Sequence, residues 1–156
     1  MSRTVLASIF LSAFVAAPLY ADSTAPAPGV TTEAEISEAD LAAEIKRLGV
    51  KPPQNGSFTA YHATDVGADS AVPLKLALVG TDALSLTFLK KYAARLREEH
   101  YTVLLLGDAA VLQQFQAAYP GIYVERYDLN NQLLLMLHML GIRHYPALYD
   151  NGQVMP

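Results

Sequence analysis

The sequence lacks cysteine entirely, and only 17% of its 156 residues are charged. Without cysteine the chain cannot form disulfide bonds, thiolate nucleophiles or cysteine-type zinc sites. Thiol–disulfide exchange by the protein itself is therefore excluded. Basic residues are also few, since 11 Lys and Arg stand against 15 Asp and Glu and the formal net charge is −4. Proteins that bind nucleic acid usually concentrate Lys and Arg on one face, so we expect no nucleic-acid partner.

The remaining composition is that of a globular protein, because 52% of the residues are hydrophobic. A chain of this length can bury a sizeable core. We therefore expect one folded domain.

The N-terminus has the pattern of an export signal. Arg3 precedes an apolar run at residues 5–17, and Ala21 offers a small residue as a cleavage site. The run is shorter than the roughly 20 apolar residues that a membrane span needs. We predict a signal peptide at residues 1–21, a periplasmic location and no stable membrane insertion after cleavage. Residues 22–36 begin with a segment rich in Ala, Pro, Ser, Thr and Gly and are predicted to form a flexible linker.

Residues 37–73 are predicted to hold one helix followed by irregular chain. Ser37 starts a capping-box pattern, and Gly49 suits the end of the helix. Residues 51–56, Lys-Pro-Pro-Gln-Asn-Gly, then interrupt regular structure. A short strand is expected at residues 58–62.

The folded core is predicted at residues 74–156, where apolar strands alternate with amphipathic helices. The expected elements are a strand at 74–79, a helix at 82–99, a strand at 101–106, a helix that starts at 107–108 and stops at 120–121, a strand at 122–127, and a helix capped by Asn130 or Asn131 that ends at Gly141. Strands that alternate with helices of this length favour a mainly parallel central sheet covered on both faces, which is an α/β fold.

The last segment carries strong local signals. Gly141 suits the left-handed position that ends a helix, and Pro146 fits the first residue of a strand because it lacks an N–H. Asn151-Gly152 predicts a hairpin, since both central residues of a type I′ turn need positive φ. The chain stops soon after this turn, and two interpretations stay open. Either the second hairpin strand is truncated, or the helix from Ser37 covers the face that the hairpin leaves exposed.

A family resemblance rests on the segment Gly141-Ile-Arg-His-Tyr-Pro-Ala147, which follows a short helix and precedes an apolar strand. This segment resembles the C-terminal half of a thioredoxin, which implies a cis peptide bond at Tyr145-Pro146. One additional helix and strand precede it, and together with Thr102-Val-Leu-Leu-Leu-Gly107 the order resembles the TrbC family of periplasmic pilus-assembly proteins in F-type conjugation. It is more similar still to a family of exported proteins encoded on integrating conjugative elements. The resemblance covers residues 74–155 and implies a cysteine-free, thioredoxin-like three-layer sandwich.

The same resemblance implies a non-enzymatic assembly or interaction component of a conjugative transfer (type IV secretion) apparatus, with other transfer proteins as partners and no cofactor. A groove beside the proline would pair its backbone with an extended segment of a partner. The residues expected to border this proline groove are Thr81, Asp82, His144, Tyr145 and Pro146.

Thioredoxins carry their nucleophilic cysteine where this chain has residues 81–85. A carboxylate in that position caps a helix and repels a thiolate, so Asp82 is interpreted as a cap. One enzymatic alternative stays open, in which Ser85 holds a glutathione thiolate as in glutathione transferases, which share the fold. A periplasmic chaperone or ligand carrier is the third possibility.

A second candidate surface is the helix at residues 133–140, Leu-Leu-Leu-Met-Leu-His-Met-Leu, which is apolar nearly all round. Such a helix is either buried on several sides or covered by a partner, and core filling is the favoured interpretation. The partner surface would consist of Leu134, Met136, Leu137 and His138. The four histidines, at positions 62, 100, 138 and 144, have no helical ligand spacing, so no metal site is predicted. His144 either lines the proline groove or is an ordinary loop residue.

Overall fold

The computed structural model describes residues 36–69 and 71–156. The predicted signal peptide at 1–21 and all but the last residue of the predicted linker at 22–36 lie outside these ranges. Within residues 36–69 and 71–156, no helix has the length and apolar character needed to cross a membrane.

Regular elements follow one another closely from Glu38 to Met155. The α-helices are α1 (Glu38–Leu48), α2 (Ala83–Glu98), α3 (Ala109–Ala118) and α4 (Asn131–Met139). The strands are β1 (Gln54–Asn55), β2 (Tyr61–His62), β3 (Lys75–Val79), β4 (Thr102–Leu106), β5 (Tyr123–Tyr127), β6 (His144–Tyr145), β7 (Ala147–Asp150) and β8 (Gln153–Met155). A short 3-10 helix, Ala63–Val66, follows β2. The strand expected at residues 58–62 is thus only two residues long, and residues 51–56, expected to be irregular, contain β1.

Six strands form the central sheet, in the order β2-β8-β7-β3-β4-β5. Strands β3, β4 and β5 run parallel to one another, whereas β7 is antiparallel to both β3 and β8, and β8 is antiparallel to β2. The fold is therefore mixed α/β with a mixed central sheet, and the prediction of a mainly parallel sheet is not confirmed. The reason is that a tight hairpin is necessarily antiparallel, and that β2 adds a further antiparallel pairing to it.

Alternation of side chains along the strands divides the core between the two faces of the sheet. One buried cluster joins the sheet to α2 and α3, and it includes Ala77, Val79, Val103 and Leu105 from the strands and Phe88, Leu89, Leu96 and Phe115 from the helices. Because successive strand residues point to opposite faces, Leu76, Leu78 and Leu104 point away from this cluster. Leu133, Leu135 and Leu137 of α4 are also buried, and none of them belongs to the first cluster.

Helix α1 lies against α4, and none of its own residues is buried. Ser37 caps it by accepting a hydrogen bond from the Asp40 N–H at 3.2 Å, and Gly49 ends it with φ 63°. The Asn131 amide nitrogen donates to the Glu38 carboxylate at 2.6 Å. The predicted helix is confirmed, but it covers α4 and not the hairpin.

The C-terminal hairpin turns at Asn151 and Gly152, which have φ values of 47° and 93°. Positive φ at both residues is what a type I′ turn requires. Strand β8 is short, but it is paired on both sides, by β7 and by β2. The edge of the hairpin is therefore covered by β2, which neither of the two earlier interpretations anticipated.

Candidate functional site

Pro146 lies between β6 and β7, beside the loop in which β3 ends and α2 begins. The Tyr145–Pro146 peptide bond is cis, as the resemblance implied. Strand β7 is antiparallel to β3, with Ala147 opposite Leu78. The residue before Ala147 is therefore level with the C-terminal end of β3, so the proline and the N-terminus of α2 belong to one site.

Gly80 lets the α2 loop and Tyr145 approach each other closely. A Cβ atom on Gly80 would lie 2.7 Å from Oδ2 of Asp82 and 2.8 Å from the Tyr145 ring. A side chain at this position would displace one of the two, so the approach requires glycine. Asp82 and Tyr145, both predicted to border the proline groove, are thus brought together.

Asp82 caps α2 and is hydrogen-bonded to Ser85. Its Oδ1 accepts from the Ser85 N–H at 3.0 Å, and its Oδ2 accepts from the Ser85 hydroxyl at 2.8 Å. Burial raises the pKa of Asp82, but hydrogen bonds from the Ser85 N–H, the Asn55 side chain and the Ser85 hydroxyl outweigh burial, so the pKa is lowered. The cap therefore presents an ionised carboxylate at the groove.

The Ser85 hydroxyl is buried and makes two hydrogen bonds within the protein. It donates to Asp82 and accepts from the Gly80 N–H at 2.9 Å, and Ser85 is 0% exposed. A ligand thiolate could accept a hydrogen bond from this hydroxyl only if the bond to Asp82 were broken. The geometry thus favours a structural role for Ser85 over the glutathione alternative.

A segment of the chain itself, residues 51–58, crosses the proline groove, and we call it the strap. Its strand β1 is parallel to β6, with Gln54 opposite His144 and Asn55 opposite Tyr145. The Gln54 N–H donates to the Arg143 carbonyl at 2.9 Å, and the Gly56 N–H donates to the Tyr145 carbonyl at 3.1 Å. The backbone edge that was predicted to pair with a partner is therefore paired with the strap.

The strap was missed because a two-residue strand has no hydrophobic periodicity. One weak signal was available in Pro52-Pro53, since consecutive prolines favour an extended backbone. That signal predicts extended chain but not the strand with which it pairs.

His144 stacks on the aromatic residue of the strap. The ring centroids of His144 and Phe58 are 5.0 Å apart with the planes 17° from parallel, and the Tyr61 ring lies edge-on to His144 at 6.5 Å. Nδ1 of His144 is buried and has no hydrogen-bond partner in the described part of the chain. His144 therefore belongs to an aromatic cluster at the groove.

Tyr61 and Arg143 hold the chain that leads into β6. The Tyr61 hydroxyl donates to the Gly141 carbonyl at 3.0 Å and accepts from the Arg143 N–H at 3.1 Å. The Arg143 guanidinium donates to the carbonyls of His138 and Val66 at 3.1 and 3.2 Å. Burial lowers the pKa of Arg143, and it raises the pKa of Tyr61. These bonds fix the position of the groove edge relative to α4.

A small, almost wholly apolar cavity of about 180 Å³ opens beside Pro146. The strap lines one side of it with Gly56 and Ser57. The other lining residues are Leu84, Thr87, Phe88, Lys91, Tyr92, Pro146 and Pro156. A cavity of about 150 Å³ can hold a benzene-sized group, so this cavity has room for one apolar side chain.

Thr81 is exposed and stands slightly apart from these contacts. Its methyl carbon would lie 2.9 Å from a Cβ atom on Gly107, so it approaches the loop that precedes α3. Among the five residues predicted for the groove, Asp82, His144, Tyr145 and Pro146 converge on the strap.

The residues predicted as a partner surface on α4 divide between core and rim. Met136 and Leu137 are buried, with 9% and 1% exposure, whereas Leu134 and His138 are half-buried. Burial lowers the pKa of His138, and the charge of Arg143 lowers it further. Since α1 also packs on α4, much of the surface of α4 is covered by the protein itself. In residues 36–69 and 71–156, no three His, Asp or Glu side chains are grouped as metal ligands.

Comparison of the chain with protein-family models, with curated proteins and with solved structures finds no match.

Proposed function

We propose that the protein is a non-enzymatic interaction domain that binds an extended segment of a partner along β6, at a cysteine-free thioredoxin-like groove. The pairing of the strap with β6 is the observation that carries this proposal. The carbonyls of Arg143 and Tyr145 accept hydrogen bonds from an extended segment with ordinary β geometry. Main-chain pairing of this kind supplies affinity in strand addition, and neighbouring side-chain pockets supply specificity.

The thioredoxin-like interpretation is supported by the connections around Pro146. Strand β3, helix α2 and parallel strand β4 form one unit, and the strand that opens at the proline is antiparallel to β3. This is the order that the resemblance to thioredoxin implies, with the proline beside the N-terminus of the first core helix. Strand β5 and helix α3 are then additional elements at one edge of the sheet.

The chemistry of the groove suits recognition. An ionised carboxylate, an aromatic cluster and an apolar cavity meet at the groove, and the sequence contains no cysteine. The hydroxyl that an enzymatic interpretation would use, that of Ser85, is buried and doubly hydrogen-bonded.

We further propose that this groove serves the assembly of a conjugative transfer apparatus in the periplasm, encoded on an integrating conjugative element. Support comes from the sequence patterns at residues 102–107 and 141–147 and from the export-signal pattern at residues 1–21. The partners are then other conjugative transfer proteins.

The test uses the full-length protein with an affinity tag in the predicted linker, expressed in cells that carry its native mobile element. Proteins captured from the periplasm after cross-linking are identified by mass spectrometry, and mating frequency is measured in parallel. Two variants of one helix are compared, Leu84→Lys, which places a charge in the cavity, and Leu86→Lys, at a position that is 49% exposed.

The unmodified protein and Leu86→Lys should recover the same transfer proteins and support equal mating, whereas Leu84→Lys should lose both. If Leu84→Lys has a native circular dichroism spectrum and captures the transfer proteins as well as the unmodified protein does, the groove is not the binding site. Capture that contains no transfer protein would refute the conjugative role.

A further inference from the structure

We propose that the strap is an internal stand-in for the partner: it fills the proline groove in the isolated protein, and the partner binds by replacing it with a segment of similar chemistry. This inference rests on the proposed function. It adds the step that opens the groove and the chemical pattern of the segment that enters.

Successive residues of the strap contact the predicted groove residues. The Asn55 side chain is close enough to Asp82 to help lower its pKa, and the Gly56 N–H donates to the Tyr145 carbonyl at 3.1 Å. Phe58 stacks on His144 with ring centroids 5.0 Å apart, and Gly56 and Ser57 share the cavity with Pro146. These four contacts come from four consecutive residues, so a short extended segment is enough to occupy the site.

The strap has fewer strand pairings and fewer buried residues than the core strands. Its strand has two residues and, among the residues that the structure describes, pairs on one side only, whereas β3 and β4 pair on both sides. Gln54, Asn55 and Ser57 are exposed, and Pro53 is the buried residue that anchors the strap at its N-terminal side. Segments with few buried apolar contacts and exposed hydrogen bonds open at low free-energy cost.

A partner must outcompete a segment that is covalently attached and therefore present at a high effective concentration. The cavity shows how this is possible. The strap contributes Gly56 and Ser57 to a cavity whose surface is almost wholly apolar, so the strap presents no apolar side chain there. A partner that carries an apolar side chain at that point gains contacts that the strap does not make.

The predicted partner is therefore an extended segment that runs parallel to β6 and has three features. It carries an amide side chain to reach Asp82, an apolar side chain one or two positions later to enter the cavity, and an aromatic side chain three positions after the amide to stack on His144. The spacing is that of Asn55, Ser57 and Phe58 in the strap.

The chain contains no cysteine, so two introduced cysteines can lock the strap without side reactions. Gln54→Cys and His144→Cys are opposite one another in the β1–β6 register. Both the oxidised and the reduced form lack the His144 ring, so their comparison reports only the release of the strap. Neighbouring strands are about 4.8 Å apart, which is within the range that a disulfide bond can bridge. The reduced form of the same variant is the matched control, because it carries both substitutions.

The probe is a fluorescent peptide with the sequence of residues 51–60 and Ser57→Leu, and its binding to the folded protein is measured by fluorescence anisotropy. We expect the oxidised variant to bind this peptide about tenfold more weakly than the reduced variant, because the locked strap cannot leave. We also expect the peptide with Leu at position 57 to bind about tenfold more tightly than the unsubstituted peptide, because it fills the cavity.

A second variant tests the strap without changing any groove residue. Gln54→Pro removes the N–H that donates to the Arg143 carbonyl and should increase peptide affinity severalfold. Thr59→Pro is its control, since the Thr59 N–H makes no backbone hydrogen bond within the described residues. Equal affinities of the oxidised and reduced forms, or of Gln54→Pro and the unmodified protein, would overturn the inference.

The two proposals fail separately. If transfer proteins are captured through Leu84 but locking the strap has no effect on peptide binding, the proposed function stands and this inference is lost. If peptide binding requires release of the strap but no transfer protein is captured, the groove mechanism stands and the conjugative role is lost.

Discussion

Replacing Ser85 by alanine should destabilise the fold much more than removal of another hydroxyl from the same helix. The Ser85 hydroxyl is 0% exposed, donates to Asp82 at 2.8 Å and accepts from the Gly80 N–H at 2.9 Å. Alanine removes this oxygen without adding volume, so steric strain cannot account for the loss. The Gly80 N–H is left buried and unpaired.

The magnitude follows from these two bonds. A buried donor without a partner costs about 1–3 kcal/mol, and a hydrogen bond to a charged group contributes about 1.5–3 kcal/mol. Asp82 is half-buried, so the lower part of the second range applies. The expected loss is about 3 kcal/mol in the free energy of unfolding. For a domain of this size, this corresponds to a fall of about 10 °C in Tm.

Urea unfolding followed by circular dichroism at neutral pH measures the effect. Thr87→Ala is the control, because Thr87 is exposed and its hydroxyl donates to the Ala83 carbonyl of its own helix at 2.9 Å. That variant should change the free energy by no more than about 0.5 kcal/mol. If Ser85→Ala lies within the same margin, the hydroxyl bridge does not stabilise the α2 loop and the reasoning is refuted.

Three further predictions concern charge and close packing. The pKa of Asp82 is lowered from its ordinary value of 3.8, so its contribution to stability is present above the unfolded-state pKa and is lost as the pH falls through the native pKa. In Asp82→Asn, the urea concentration at the midpoint of unfolding should therefore fall less steeply below about pH 4 than in the unmodified protein. The same pH dependence in both proteins would contradict the role of the carboxylate. Gly80→Ala should lower the thermal midpoint and weaken peptide binding, since its Cβ would lie 2.8 Å from the Tyr145 ring; a variant with unchanged midpoint and affinity would disprove the close approach. Burial and a hydrogen bond to Glu125 raise the pKa of Tyr127 from 10.0 to about 12. The protonated Tyr127 side chain therefore stabilises the fold below about pH 10, and this contribution is lost as the pH rises from about 10 to about 12. Glu125→Gln should lower the pKa of Tyr127. The ultraviolet titration of tyrosine measures this pKa, and Tyr127→Phe identifies the part of the signal that belongs to Tyr127. An unchanged titration midpoint would exclude the Glu125 carboxylate as a cause.

Local structure around the groove could be predicted because each signal lies within a few residues. Asp82 caps α2 by accepting from the Ser85 N–H three residues later, and Asn151-Gly152 adopts the positive φ values that its turn requires. The same holds for the helix between Ser37 and Gly49. In each case the side chain that determines the conformation is adjacent to the backbone that it affects.

The composition of the groove was only partly predictable. Pro146, Tyr145, His144 and Asp82 could be named because the resemblance points to the proline and to the start of the first core helix. Phe58, Asn55 and Gly56 were missed, although they complete the site. Phe58 and Gly56 lie almost 90 residues before their partners, and Asn55 lies about 27 residues before Asp82. No local pattern records contacts over such separations.

The sequence alone determined the absence of thiol chemistry, the alternation of strands and helices in the core, and the positions of the caps and the hairpin turn. The tertiary structure alone decided that β2 pairs with the hairpin, that α1 covers α4, and that the strap occupies the edge of β6. The division has a physical cause. Capping, turn formation and periodicity depend on neighbouring residues, whereas a two-residue strand such as β1 is stabilised only by the remote strand with which it pairs.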